Sequence, residues 1–195
     1  MTPVDAGRDV VLGGSRRDGA GPVVLHTASP GETRSVGAAL AAVLRVGDVV
    51  LVAGELGAGK TTLVQGIASG LGVTDIVTSP TFTLVRPYPC ERPSSPETSP
   101  SVMLHADLYR LDRLGEVSDL ALGELVEDSA VAVVEWGDVA EPVLGRDALH
   151  VRLDTGTAEA DRCITIAPSG SWISRRRPLE VIADTWGKPG TGRAG

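Results

Sequence analysis

Residues 54–61 place glycines, a lysine and a threonine at the spacing of a phosphate-binding loop (P-loop): Gly, four residues, Gly, Lys, then Ser or Thr. Glycines let the backbone turn tightly, so that its N–H groups can face phosphate oxygens. Lys60 is expected to reach the β- and γ-phosphates, and the Thr61 hydroxyl to coordinate Mg²⁺. The only other lysine is Lys188, so a lysine at this place by chance is rare. The pattern predicts a nucleoside triphosphate site.

A strand and a helix must hold this loop. Residues 48–53 form a short apolar, β-branched run, which is typical of a buried parallel strand. Residues 61–71 carry apolar side chains at helical spacing. The order of strand, glycine loop and helix is the context that the motif requires.

Carboxylates that follow apolar runs are the candidates to complete the site. Residues 130–134 are uninterrupted apolar residues, which predicts a central strand ending at Glu135. Ligands of open α/β sheets bind at the carboxyl ends of strands, so Glu135 is a predicted Mg²⁺ ligand. The alternative is a surface carboxylate that starts a turn. Asp107 follows the apolar run 102–106 and could orient the attacking water, but spacing alone favours an ordinary aspartate in a turn.

Other polar residues give weaker signals. Thr81 and Thr83 could place a hydroxyl near the γ-phosphate, although the run 78–85 is more simply the start of a strand. Residues 175–177 are three arginines, for which a solvated tail is the simpler interpretation. The histidines do not cluster and are predicted to be packing residues: His26, His105 and His150.

Composition excludes several classes of protein. The formal net charge of −7 argues against a protein that grips nucleic acid over a broad basic face. Cys90 and Cys163 lie far apart and lack metal-ligand spacing, which favours free thiols in a reducing compartment. The sequence has neither a run of about 18 apolar residues nor a secretory signal. We therefore expect a cytoplasmic protein that makes no contact with a membrane.

The chain divides into three predicted parts. Residues 1–21 are expected to be a flexible extension, 22–170 the folded domain, and 171–195 a tail with a short helix near 178–186. Residues 86–101 are rich in proline and serine and are predicted to form a loop insertion.

The remaining elements are predicted from periodicity. The runs 78–85 and 102–106 should pair as a hairpin around the inserted loop, and 112–128 should hold one or two short helices. The alternating runs 148–153 and 162–167 are predicted to be outer antiparallel strands.

Four sequence runs together resemble the TsaE-type ATPases, which take part in bacterial synthesis of N6-threonylcarbamoyladenosine (t6A) in tRNA. The runs occur in the same order at 54–62, 79–83, 105–111 and 134–136, and the resemblance covers roughly residues 23–168. It implies an α/β fold of the P-loop NTPase type, with three layers and a mostly parallel central sheet extended by antiparallel strands.

The resemblance also implies an activity and partners. It implies a slow, Mg²⁺-dependent ATPase that works on the TsaD and TsaB subunits, and whose hydrolysis of ATP resets that complex between turnovers. tRNA would be met only through the complex. By motif, Lys60, Asp107 and Glu135 would be catalytic, and Thr61 and Glu135 would hold Mg²⁺.

The nucleotide contacts implied by the resemblance extend beyond the loop. Trp136 would lie near the nucleotide, Thr33 would help to frame the adenine, and the segment around Thr81 would act as a switch-like loop. The implied ATP-binding set is Glu55, Leu56, Gly57, Ala58, Gly59, Lys60, Thr61, Thr62, Thr33, Thr81 and Trp136.

Two other functions remain open at this point. A small-molecule kinase uses the same phosphate grip, but the arginines between residues 72 and 128 show no recognisable lid pattern. A GTPase is disfavoured because the sequence has no Asn-Lys-x-Asp guanine motif. The second function that remains open is that of a non-catalytic binding module, in which ATP only orders an interaction surface.

Overall fold

The computed structural model describes residues 21–80, 84–91, 99–109, 126 and 129–187. In this part of the chain, seven strands form one sheet. In chain order they are β1 (Val23–Thr27), β2 (Val49–Ala53), β3 (Val85–Pro89), β4 (Val102–Asp107), β5 (Ala130–Glu135), β6 (Leu149–Thr155) and β7 (Arg162–Pro168).

The sheet is parallel at its centre and antiparallel at both edges. Its strand order is β1-β7-β6-β2-β5-β4-β3. The neighbours β6, β2, β5 and β4 run parallel to one another, whereas β7, β1 and β3 pair antiparallel. This arrangement confirms the predicted fold class.

Helices cover the sheet. Among the described residues they are α1 (Pro30–Ala41), α2 (Lys60–Gly70), α3 (Glu141–Leu144) and α4 (Arg177–Trp186), with 3₁₀ turns at Gly145–Asp147 and Gly170–Ile173. Alternate residues of β2 enter different cores: Val50 and Val52 pack with α1 and α2, while Val49 and Leu51 face the opposite side. Within the described ranges, no helix has the length and apolar character needed to cross a membrane.

The hairpin prediction is confirmed, but its first strand lies later than expected. Residues 78–80 are not in a strand, and β3 spans Val85–Pro89, so it begins at the last residue of the predicted strand and continues into the predicted loop 86–101. The edge position of β3 explains how it accommodates Pro87 and Pro89, because prolines are tolerated where a strand has only one neighbour. The flexible extension predicted for 1–21 and the helices predicted for 112–128 lie outside the described residues, apart from Gly21 and Val126.

The two late strands pair antiparallel with each other, as predicted, but the prediction that they are outer strands is wrong. Strand β7 lies between β1 and β6, and β6 lies between β7 and β2, to which it is parallel. Leu149, Val151 and Leu153 are buried, whereas Arg152 between them is exposed. An alternating sequence therefore indicates a strand with one buried face. It does not distinguish a strand inside a sheet from one at its edge.

The last described segment packs against the domain. The helix predicted near 178–186 is present as α4, with Leu179 and Ile182 buried. The prediction that the three arginines are solvated is wrong for Arg175. Its guanidinium donates to Asp48 at 2.7 Å and to the Val43 carbonyl at 2.8 Å, and it stacks 4.1 Å from the Trp172 ring centre.

Helices α1 and α2 approach so closely that two glycines are required between them. A Cβ on Gly37 would lie 2.3 Å from the Leu63 carbonyl oxygen, and one on Gly66 would lie 2.1 Å from the Arg34 carbonyl oxygen. Both clashes would be with backbone atoms, which cannot shift without a substantial energetic cost. The contact fixes α2, and with it the loop at its N-terminus.

We expect Gly66→Ala to destabilise the protein by about 2–3 kcal/mol, because overpacking against backbone outweighs the ~1 kcal/mol that alanine gains in a helix. The matched control is Gly31→Ala in α1, whose Cβ would meet only the Ser29 hydroxyl at an ordinary 3.7 Å. Urea unfolding measures both variants. Equal midpoints for Gly66→Ala and wild type would show that the two helices can separate without cost.

Candidate nucleotide site

The predicted P-loop joins the carboxyl end of β2 to the N-terminus of α2. Its backbone has positive φ at Gly54 (142°), Gly57 (79°) and Gly59 (97°), a conformation that other residues rarely adopt. A Cβ on Gly54 would also lie 2.4 Å from the Leu153 carbonyl oxygen. The glycines therefore permit a tight loop that directs its backbone toward the helix N-terminus, where phosphate groups bind.

Lys60 is the first residue of α2 and is only 5% exposed. Its ammonium donates to the carbonyls of Gly54 and Glu55, each at 2.8 Å. It also lies 3.8 Å from the centre of the Trp136 ring, in a cation–π contact. These contacts hold the lysine that is predicted to bind phosphate against the P-loop.

Two effects act in opposite directions on the pKa of Lys60. Burial lowers the pKa of its ammonium, while the charges of Glu135, Asp107 and Asp138 act to raise it. The ammonium of Lys60 thus lies in the field of three negative charges at this end of the loop.

Trp136 forms one wall of the site through a strained backbone. Its φ of 58° is left-handed, which is uncommon for a residue with a large side chain. The turn is held by the N–H of Gly137, which donates to the Val52 carbonyl at 3.1 Å. The Trp136 ring contacts both Lys60 and Tyr109, whose ring centre is 4.8 Å away. Strain of this kind is concentrated at functional sites.

Glu135 ends β5 beside the loop, as predicted, and is 3% exposed. Both of its carboxylate oxygens accept from the Thr61 hydroxyl at 2.9 Å. One of them also lies 2.9 Å from Nε2 of His105, which is fully buried. Describing His105 as a packing residue missed this contact, through which the ring orients Glu135. Its Nδ1 has no hydrogen-bond partner among the described residues.

The donor set formed by Thr61 and Glu135 fits Mg²⁺. A hydroxyl and a carboxylate oxygen are hard ligands of the kind that this ion prefers, and it is usually held by one or two carboxylates together with phosphate oxygens. The contact between the two side chains brings both ligands to one point at the mouth of the loop. The predicted metal ligands are therefore brought together.

Asp107 ends β4 and lies opposite Glu135 in the register of the sheet. It is 5% exposed, and its two oxygens accept from the Tyr109 N–H at 3.0 Å and from the Ser79 hydroxyl. The sequence predicts Thr81 or Thr83, and not Ser79, as the hydroxyl that this segment contributes. Both threonines lie outside the described residues.

The other predicted nucleotide contacts vary in exposure. Thr33 is 2% exposed and its hydroxyl bonds with Thr27 at 2.8 Å, so it offers little surface to an adenine, and that role stays a prediction. Leu56 is 81% exposed at the tip of the loop, and Ala58 is 1% exposed beneath it. Glu55 and Gly57 are exposed, and Thr62 follows Thr61 into α2 half-buried.

One residue of the site gave no sequence signal. Arg162 begins β7 and donates from its guanidinium to the carbonyls of Gly57 and Ala58 in the P-loop. The two partners are more than a hundred positions apart in sequence, so only the fold brings them together. Ser79 and His105, in contrast, lie inside runs that were already singled out.

The fold and this site define a P-loop nucleotide-binding protein. The family model described as threonylcarbamoyl adenosine biosynthesis protein TsaE matches residues 27–164. The chain belongs to the TsaE family.

Individual relatives agree. A Streptomyces coelicolor protein named tRNA threonylcarbamoyladenosine biosynthesis protein TsaE is 43% identical over 141 residues, covering 70% of this chain and 90% of that protein. A Bacillus subtilis protein of the same name is 35% identical over 146 residues, covering 75% and 85%. The crystal structure of Bacillus subtilis YdiB superimposes with a TM-score of 0.66 at 27% identity, covering 87% of this chain and 99% of that one.

Proposed function

We propose that this protein binds ATP with Mg²⁺ and hydrolyses it slowly in the service of tRNA t6A synthesis. The observation that carries the proposal is the contact of the Thr61 hydroxyl with both oxygens of Glu135, beside Lys60 at the mouth of a glycine loop. Membership of the TsaE family supplies the pathway.

Each side chain of the site has a distinct chemical task in this proposal. Lys60 neutralises charge on the β- and γ-phosphates. Thr61 and Glu135 would hold Mg²⁺, which supplies further neutralisation of the phosphate oxygens when bound. Asp107 lies beside Glu135 and is oriented by the Tyr109 N–H, so that it can hold the attacking water. Positioning and charge account for most of the catalysis of phosphoryl transfer, and these four side chains provide both.

The proposed partners are the TsaD and TsaB subunits, with tRNA met only through their complex. Two observations support this part of the proposal. The curated relatives are named for t6A biosynthesis, a pathway that ends on tRNA. The net charge of −7 is poorly suited to direct binding of a polyanion. We place this activity in the cytoplasm.

An ATPase assay of the purified chain, with Mg²⁺ and with or without TsaD and TsaB, tests the proposal. We expect slow release of phosphate by the chain alone and a higher rate with both partners. A rate that the partners leave unchanged would argue against coupling to their complex. If no phosphate is released under either condition, the catalytic proposal fails.

Asp107→Asn is expected to lower the partner-stimulated rate about 100-fold, because an amide is too weakly basic to accept a proton from the attacking water. Nucleotide affinity should change little, since Asp107 is not assigned to the phosphates. Asp154→Asn, at a 48%-exposed carboxylate paired with Arg152 on β6, is the control for loss of one negative charge. Stimulated phosphate release by Asp107→Asn at the wild-type rate would remove Asp107 from the mechanism.

A nucleotide-gated binding module is the second candidate function. The Ser79 hydroxyl donates to Asp107, which connects the segment preceding residues 81–83 to the nucleotide site. Such a connection could transmit the state of the nucleotide without hydrolysis. Partner binding that requires ATP but survives Asp107→Asn, in the absence of any phosphate release, would favour this second function.

A further inference from the structure

We infer that Arg162 is a positioning residue that holds the P-loop in its phosphate-binding conformation. The inference deepens the proposed function, because it assigns a new residue to the same nucleotide site. It concerns a side chain outside the loop, whose place in the sequence gives no sign of this role.

The guanidinium of Arg162 forms hydrogen bonds to four backbone carbonyls. Nε donates to Ala58 at 2.7 Å, and Nη2 donates to Gly57 at 3.2 Å. Nη1 donates to Glu159 and to Asp161, each at 2.7 Å. Nε and Nη2 therefore bind the P-loop, and Nη1 binds the turn between β6 and β7.

Holding a carbonyl also orients the next N–H group. In a trans peptide the carbonyl and the following N–H point in opposite directions within one plane. When Arg162 holds the Ala58 carbonyl, it turns the N–H of Gly59 to the far side of the loop. Gly59 is the N-cap of α2, so this N–H belongs to the group of donors at the helix N-terminus where phosphates bind.

The neighbouring peptide plane is held in the same way. Arg162 binds the Gly57 carbonyl, and the N–H of Ala58 in that plane donates to the Glu55 carbonyl at 3.1 Å. Gly57 and Gly59 both have positive φ, so without an external hold the loop has a wide choice of conformations. Arg162 removes that choice, which lowers the entropy cost of binding phosphate.

The hold is rigid because Arg162 is itself anchored in the sheet. It begins β7 and pairs with Thr27 of β1 and with Thr155 of β6. A lysine could not replace it, because a single ammonium lacks the planar fork that reaches both ends.

Three variants test the inference: Arg162→Ala, Arg162→Lys and the control Arg152→Ala, which removes a 49%-exposed arginine from the adjacent strand. Calorimetry measures the affinity for ATP and for Mg²⁺-tripolyphosphate. We expect about tenfold weaker binding of both ligands by Arg162→Ala, little rescue by Arg162→Lys, and no change in Arg152→Ala. Tripolyphosphate has no base or ribose, so weaker binding of this ligand would show that the substitution impairs the phosphate-binding loop itself.

Backbone amide NMR in the absence of nucleotide provides the second readout. We expect the Gly59 and Lys60 amide signals to move or broaden in Arg162→Ala while urea unfolding stays cooperative. Unchanged loop amides would overturn the inference, and with weakened ATP binding they would mark Arg162 as a direct phosphate ligand. Wild-type affinity in Arg162→Ala would also overturn it. Failure of wild type to bind ATP would instead reject the proposed function, while the amide signals would still test the positioning.

Discussion

Replacing Lys60 with alanine is expected to weaken ATP binding by roughly tenfold to hundredfold, the value of a charge-assisted hydrogen bond to phosphate. The ammonium already lies at the mouth of the loop, 2.8 Å from the Gly54 and Glu55 carbonyls. Removing it also removes a positive charge that offsets the carboxylates of Glu135, Asp107 and Asp138, which would then repel the triphosphate more strongly. Isothermal calorimetry with Mg²⁺ and ATP gives the affinity directly.

Lys60→Met separates the charge of this side chain from its packing. Methionine keeps an unbranched apolar stem against Trp136 but has no ammonium. We expect Lys60→Met to bind ATP as poorly as Lys60→Ala. Wild-type affinity in the methionine variant would show that packing matters at this position and that the placement of the phosphates is wrong.

Glu135→Gln is expected to have the second large effect, a loss of the Mg²⁺ dependence of ATP binding. The amide keeps the shape of the side chain but lacks the charge that a hard cation requires. With Mg²⁺, ATP affinity should fall by about tenfold or more. With EDTA the variant should bind ATP at least as well as wild type, because a carboxylate that repels phosphate has been removed.

The control for this prediction is Glu141→Gln, at an exposed carboxylate in the first turn of α3. It should retain the Mg²⁺ dependence of wild type. Calorimetric titrations of both variants, each with Mg²⁺ and with EDTA, complete the comparison. If Glu135→Gln kept the full difference between the two conditions, Glu135 would not be a metal ligand.

Local patterns predicted the part of the site that depends on local structure. The glycine spacing at 54–61 determines the loop, and the apolar run before Glu135 determines a buried strand with a carboxylate at its end. Because carboxyl ends of neighbouring parallel strands meet at one edge, a correct strand assignment also placed Glu135 near Thr61. The same patterns predicted buried parallel strands, whereas the mostly parallel central sheet with antiparallel extensions was implied by the family resemblance.

Contacts between distant segments could not be predicted in this way. The pairing of β6 with β2 depends on the order of the strands in the sheet. The alternating sequence of β6 indicates only that one face of the strand is buried. Arg162 reaches the P-loop only because β7 runs antiparallel to β6 and therefore begins at the same edge of the sheet. Arg175 looked like part of a solvated basic run because its partner Asp48 lies 127 positions away in the sequence. Long-range charge pairing leaves no periodic signal in a sequence.

The most direct test of the central claim is a calorimetric titration of the wild-type chain with ATP, once with Mg²⁺ and once with EDTA. We predict saturable binding of one ATP per chain with Mg²⁺ and clearly weaker binding with EDTA. Binding that does not saturate, or an affinity that is the same under both conditions, would contradict the assignment of Thr61 and Glu135 to a magnesium–nucleotide site.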